Sequence, residues 1–261
     1  MSTENNTFTV WASIKKDLNP LEQVVINLKQ WNKDSIELNV THCGVCGSNI
    51  HTLEEEWGPI EYPCVAGHEI IGIVSSIGSN FCNVKVGDRA GVGPQSSSCH
   101  QCEFCLNSQE NMCQDSVMYT YQSNWPNGDR AFGGYADKWR GDYRFVFKVP
   151  DSMSSRVAAS FFCAGIIAYA PLKHSNIIPN KSVIRVMGIG GLGHYGIQFA
   201  KGFGAKVIGI SHSEVKRDIA FQIGCDEYLN SSDKDAMSKY QNQLTHILCT
   251  GTGSDFEFIR N

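Results

Sequence analysis

Cys99, Cys102 and Cys105 recur at every third position in Cys-His-Gln-Cys-Glu-Phe-Cys, and Cys113 follows in the same stretch. Three thiols on one turn and a fourth from the same lobe can close a tetrahedron around Zn²⁺. Such a set leaves no coordination position open, so a zinc held there would be structural. A nucleic-acid zinc finger would need a downstream histidine pair and a basic surface, and neither is present. A second pattern is Gly188-Ile189-Gly190-Gly191-Leu192-Gly193, which fits G-x-G-x-x-G through Gly188, Gly190 and Gly193. The first glycine permits a tight turn, the second lets a pyrophosphate reach the backbone, and the third packs helix on strand. Free amides at the helix start then favour the anion.

Other reactive groups are dispersed. Cys43 lies in Cys43-Gly44-Val45-Cys46-Gly47-Ser48-Asn49-Ile50-His51, His68 and Glu69 follow in Gly-His-Glu, and Cys163 sits in Phe-Cys-Ala-Gly. Spacing alone does not join them, because a lone buried cysteine or histidine is usually core.

These groups must be placed by a chain of 261 residues with 42% hydrophobic and 18% charged residues and a net charge of −4. That balance gives no electrostatic case for nucleic acid or an anionic membrane. The N-terminus has no secretory pattern. Eleven cysteines without one point to metal or reactive thiols rather than disulfides. The most apolar stretch, 157–170, is too short to span a bilayer and reads as a buried helix. The expected setting is cytoplasmic, with no membrane and no nucleic acid as partner.

Up to about residue 150 the pattern is β-rich. Short branched and aromatic runs at 8–14, 23–28, 35–41, 70–74 and 84–93 are bounded by turn residues. Ser152 to Ser155 then supply cap chemistry ahead of an apolar helix at 157–172. From there strands at 182–187, 206–210, 227–229 and 245–249 alternate with helices at 192–204 and 214–223 and with a polar helix before the last strand. That alternation marks a parallel α/β sheet. Two domains are expected, 1–152 and 153–261.

The order of motifs resembles the zinc-dependent medium-chain alcohol dehydrogenases, in their cinnamyl alcohol dehydrogenase-like branch. Cys-Gly-x-Cys-Gly-Ser-x-x-His, Gly-His-Glu, the four-cysteine loop, Phe-Cys-Ala-Gly and the glycine turn come in sequence, with Val-Gly-Asp-Arg and Gly-Gly-Tyr-Ala between them. The resemblance implies a GroES-like zinc domain followed by a doubly wound Rossmann domain. It implies a catalytic zinc on Cys43, His68 and Cys163 and a structural one on Cys99, Cys102, Cys105 and Cys113. By the same resemblance Glu69 approaches the catalytic metal, and Ser48 and His51 relay a proton to solvent. Trp57 would wall an apolar pocket. Two positions depart from the family: Asn49 stands where an aspartate backs the zinc-binding histidine, and Ile167 stands where a threonine meets the cofactor.

NAD users usually place an acid at the end of the second Rossmann strand. Here that place holds Ser211, His212 and Ser213, with Lys216 and Arg217 beyond. Hydroxyls plus a cation suit a 2′-phosphate, so NADP(H) is expected on Gly188, Gly190, Gly191, Leu192, Gly193, Ser211, Ser213 and Lys216. The resemblance implies primary alcohols and aldehydes, aromatic or medium-chain, as substrates. A complete dinucleotide fold has about six strands, so the chain reads as ending early, inside a helix at 258–261, before the strands that form the family's homodimer. The alternative is a catalytically silent zinc-binding remnant.

Overall fold

A computed structural model describes residues 6–16, 21–80, 83–233, 235, 237 and 244–251. The chain forms two compact units, Met1–Cys163 and Ala164–Asn261. The division falls later than residue 152 because the first part of the long helix belongs with the β-rich unit: Ala158, Ala159 and Phe162 pack on Ile71 and Val149.

In the first unit β1 (Thr7–Ala12) and β2 (Glu22–Asn27) pair as an antiparallel ribbon. They are followed by β3 (Ser35–Cys43), helix α1 (Gly47–Leu53), β4 (Ile70–Ile77) and β5 (Arg89–Val92). After these come β6 (Gln95–Ser97), α2 (Glu103–Leu106), β7 (Met118–Tyr119), β8 (Lys138–Asp142) and β9 (Phe147–Lys148). Five of the strands form one antiparallel sheet in the order β8-β3-β4-β5-β9. Strand alternation explains its core: Ile36 and Leu38 point one way and pack with Ile70, Val74, Ala90, Val92 and Trp139. Glu37 points the other way and is buried against Arg140, whose Nη2 donates to Oε2 at 2.6 Å. Burial alone would push the Glu37 carboxyl up, but the Arg140 hydrogen bonds and charge outweigh it and hold it below the usual range. The run at 84–93 yields a strand only from Arg89, because Gly87 adopts φ +89° and the Asp88 amide closes a turn onto Lys85.

The second unit contains α4 (Ile166–His174), β10 (Val183–Met187), α5 (Gly191–Gly202), β11 (Lys206–Ser211), α6 (Arg217–Gln222), β12 (Glu227–Asn230) and β13 (His246–Cys249). The described strands pair in parallel in the order β12-β11-β10-β13. Ile184 and Val186 of β10 face Ile197 and Ala200 of α5 in one buried cluster. The order reverses at β10, so the crevice for a ligand lies at the carboxyl ends of β10 and β13. The polar helix expected before β13 falls mostly outside the described residues, and the helix expected at 258–261 falls wholly outside them.

Ser155–His174 forms one continuous helix, α3 (Ser155–Ser160), a π-helical turn Phe161–Gly165, and α4. By length and composition it could cross a membrane, and only 28% of its apolar window is buried. The expectation of a buried helix is therefore corrected: Val157, Ile166 and Ile167 are exposed.

Candidate functional site

β3 ends at Cys43, and the next three residues lead to α1, with Cys46 as its cap residue in extended conformation. His68 and Glu69 immediately precede β4, both buried. Gly44 is required here because a Cβ would collide with the Glu69 carboxylate. Cys163 comes from the π-helical turn, a type of irregularity often found at functional sites. One ligand atom from each of Cys46, His68, Glu69 and Cys163 lies within 4.8 Å of all the others. The Cys46 and Cys163 sulfurs are 3.8 Å apart, which is about the separation of two thiolates each roughly 2.3 Å from a tetrahedral zinc.

The structure thus gathers Cys46 where sequence reasoning had placed Cys43. Cys43 still belongs to β3, paired with Ile70, so the strand pleat sets its direction. Its sulfur sits where a Cβ on Gly67 or Gly134 would fall, and burial pushes its thiol up to about 12. Cys46 has left the strand and can turn inward. The repeated Cys-Gly pattern in one phrase was the available signal for it. The hydrogen bond with Cys163, and then the neighbouring His68 side chain, hold the Cys46 thiol far below its ordinary range. Cys163 moves the opposite way, through the same bond and through burial. Burial, and then the nearby Cys46 charge, raise Glu69. Among the described residues His68 Nε2 is buried without a hydrogen-bond partner. An orphaned imidazole nitrogen beside two sulfurs and a carboxylate fits a zinc ion.

Ser48 Oγ lies 3.5 Å from Cys46 Sγ. His51, one turn further along α1, is half-exposed and pairs through Nδ1 with Glu56 Oε2 at 2.6 Å. Its other nitrogen faces Gly47. Trp57 packs beside the His51 ring with centroids 5.4 Å apart but is otherwise exposed. Glu56 was not anticipated from the sequence. Asn49 is buried and bonds to the hydroxyls of Tyr121 and Tyr135 rather than backing His68 directly.

Cys99, Cys102, Cys105 and Cys113 also bring their sulfurs within 4.8 Å of one another. Backbone amides of Gln101 and Cys102 donate to Cys99, and those of Cys99 and Ser116 donate to Cys113. Those donors lower the Cys113 thiol to about 6, which prepares a thiolate for metal. His100 adopts φ +60° and reaches Asp142 at 3.0 Å, tying the loop to the end of β8.

In the second unit Gly188 takes φ +90° at the end of β10, and a Cβ there would strike Gly251. A Cβ on Gly193 would collide with the Gly188 carbonyl. Gly190 and Gly191 are different, because nothing lies within 4 Å of a Cβ on either. α5 begins at Gly191, just before Leu192, with no side-chain cap at Gly190. Ser211 ends β11, buried, and Ser213 accepts from the Val215 amide. Lys216 is exposed. Arg217 is engaged instead, donating to Glu214 at 2.6 Å and lying over the Tyr228 ring at 4.8 Å. Ile167 is 59% exposed, so it supplies no polar contact in place of a hydroxyl.

Residues 32–151 match the alcohol dehydrogenase GroES-like domain family, and residues 191–257 match the zinc-binding dehydrogenase family. A probable cinnamyl alcohol dehydrogenase from Oryza sativa is 36% identical over 254 residues, covering 95% of this chain and 70% of the relative. A probable formaldehyde dehydrogenase from Bacillus subtilis is 39% identical over 229 residues, covering 88% of this chain and 65% of its own length. The solved cinnamyl alcohol dehydrogenase of Sorghum bicolor superposes with a TM-score of 0.86 at 33% identity, covering 95% of this chain and 70% of that one. The chain belongs to the zinc-binding alcohol dehydrogenase family, among its cinnamyl alcohol dehydrogenase-like members. It spans 65–70% of the length of these curated relatives.

Proposed function

We propose that the chain carries the metal and dinucleotide sites of an oxidoreductase that moves hydride between NADP(H) and primary alcohols or aldehydes. The observation that carries this reading is the set Cys46, His68, Glu69 and Cys163 around the orphaned His68 Nε2. A zinc bound there would act as a Lewis acid toward an alcohol or carbonyl oxygen. Cys46, His68 and Cys163 would hold it, and Glu69 would be the donor exchanged for a substrate oxygen. Ser48, beside Cys46, would take the alcohol proton, and His51 would pass it to solvent. Glu56 fixes the His51 ring by its bond to Nδ1, leaving the other nitrogen turned toward the Ser48 end of α1. Cys99, Cys102, Cys105 and Cys113 would hold a second, structural zinc.

Gly188, Gly190, Gly191, Leu192 and Gly193 would carry the pyrophosphate, and Ser211, Ser213 and Lys216 the 2′-phosphate. In support, a solved cinnamyl alcohol dehydrogenase from Helicobacter pylori, 29% identical with a TM-score of 0.78, is complexed with NADP(H). The zinc-loaded full chain is expected to oxidise NADPH in the presence of cinnamaldehyde or benzaldehyde, and NADH at least about tenfold more slowly. A cation–phosphate contact is worth about 1.5–3 kcal/mol. A folded chain with two zinc ions and no turnover would sink the activity. Ile167, exposed and without a hydroxyl to offer a cofactor, favours a second reading, a zinc-binding chain that does not react. Calorimetry separates the two, since only an active chain needs to bind NADPH.

A further inference from the structure

The geometry points to Asn49 and Tyr121 as a clamp that positions the His68 imidazole. This rests on reading Cys46, His68, Glu69 and Cys163 as a metal site. Asn49 lies on α1, 2% exposed. Its Oδ1 accepts from the Tyr121 hydroxyl at 2.8 Å, and its Nδ2 donates to the Tyr135 hydroxyl at 2.7 Å. The Tyr121 ring lies parallel to the His68 imidazole, with an interplanar angle of 2° and centroids 5.7 Å apart. Four segments are therefore linked in order: the residues preceding β4 that carry His68, the stretch after β7 that carries Tyr121, α1 with Asn49, and the stretch before β8 that carries Tyr135.

The side-chain chemistry explains why an amide serves here. A carboxylate only accepts hydrogen bonds, whereas an amide accepts on one side and donates on the other. Asn49 satisfies one tyrosine hydroxyl in each way without bringing a charge into a buried place. Among the described residues His68 Nε2 has no hydrogen-bond partner. The flat Tyr121 ring is what limits rotation of the imidazole, and the Asn49 bond limits movement of that ring. Control of ligand orientation thus passes through stacking rather than through a charge behind the histidine. Groups that orient a metal ligand typically contribute about 10–100-fold to metal affinity when removed.

The test uses the full chain and Tyr121→Phe, Asn49→Ala and Asn49→Asp variants, each loaded with zinc and challenged with a colorimetric chelator. The four-cysteine site serves as an internal reference. Tyr121→Phe and Asn49→Ala are expected to speed release from the mixed-donor site about tenfold and to leave the four-cysteine phase unchanged. Their cobalt-substituted forms should show altered ligand-field bands. Asn49→Asp keeps an acceptor for Tyr121 and should release metal more slowly than Asn49→Ala. Wild-type release and wild-type cobalt bands in Tyr121→Phe would overturn the clamp, as would equal acceleration of both phases. A wild-type chain that takes up one metal ion only would overturn the metal-site reading instead. The clamp is then judged by NMR on the metal-free protein: a His68 ring-proton shift that moves in Asn49→Ala supports it, and an unchanged shift overturns it.

Discussion

Cys46→Ser is expected to remove one of two zinc equivalents and to cut aldehyde reduction at least about a hundredfold, while Cys43→Ser keeps both equivalents. Loss of Lewis-acid stabilisation is worth several kcal/mol, and each 1.4 kcal/mol is about a factor of ten. The two cysteines are three residues apart yet in different situations. Cys46 caps α1 with its sulfur 3.8 Å from Cys163. Cys43 is the last residue of β3, and its sulfur is not among the ligand atoms gathered with Cys163. Its own substitution should act on stability, because a hydroxyl enters a place packed against Gly67 and Gly134. A cost of roughly 1–3 kcal/mol is expected, read by urea unfolding. Metal analysis of the two purified variants checks the contrast. Loss of an equivalent from Cys43→Ser, with retention in Cys46→Ser, would reverse the assignment.

The second large effect falls on the glycine turn, where two substitutions of the same kind should fail in different ways. Gly190 has an extended backbone, φ −107° and ψ −155°, and open space where a side chain would go. Gly190→Val is therefore expected to fold with a stability within about 1 kcal/mol of wild type, since it meets nothing and leaves no buried group unpaired. It should lose NADPH affinity by at least about tenfold, because the branched side chain fills the approach of the pyrophosphate to the first amides of α5. Gly193→Val must instead push against the Gly188 carbonyl and the Thr250 hydroxyl. That variant should be destabilised by about 1–3 kcal/mol from overpacking. Calorimetric titration with NADPH and thermal unfolding distinguish the two. Undiminished NADPH binding by Gly190→Val would place the cofactor elsewhere.

How much of this was legible in the chain varies with the range of the interaction involved. The four-cysteine loop is local, so its spacing alone pointed to a metal site; the glycine turn became specific only through its place after a strand and before a helix, and the alternation after residue 182 showed the parallel sheet. The mixed-donor site draws on α1, the residues before β4 and a π-helical turn, and spacing cannot describe such a set. Resemblance supplied His68, Glu69 and Cys163 but placed the fourth residue on Cys43. The deciding fact is where β3 stops and its pleat ceases to dictate side-chain direction. A regular expression over Cys-Gly-Val-Cys does not contain that. The Tyr121 bond to Asn49 spans 72 residues, and nothing in either residue's neighbourhood announces it. The division after residue 152 was read from cap chemistry, whereas packing of Ala158 and Ala159 on Ile71 keeps α3 with the first unit.

A mixed-donor zinc site in addition to a four-sulfur one is tested most directly by X-ray absorption at the zinc edge. With two zinc ions per chain, one on four sulfurs and one on two sulfurs with a nitrogen and an oxygen, the average environment is three sulfurs at about 2.3 Å and one lighter atom at about 2.0–2.2 Å. Cys46→Ser should leave a single equivalent with four sulfurs. A wild-type chain that already shows four sulfurs and one zinc equivalent would contradict the account.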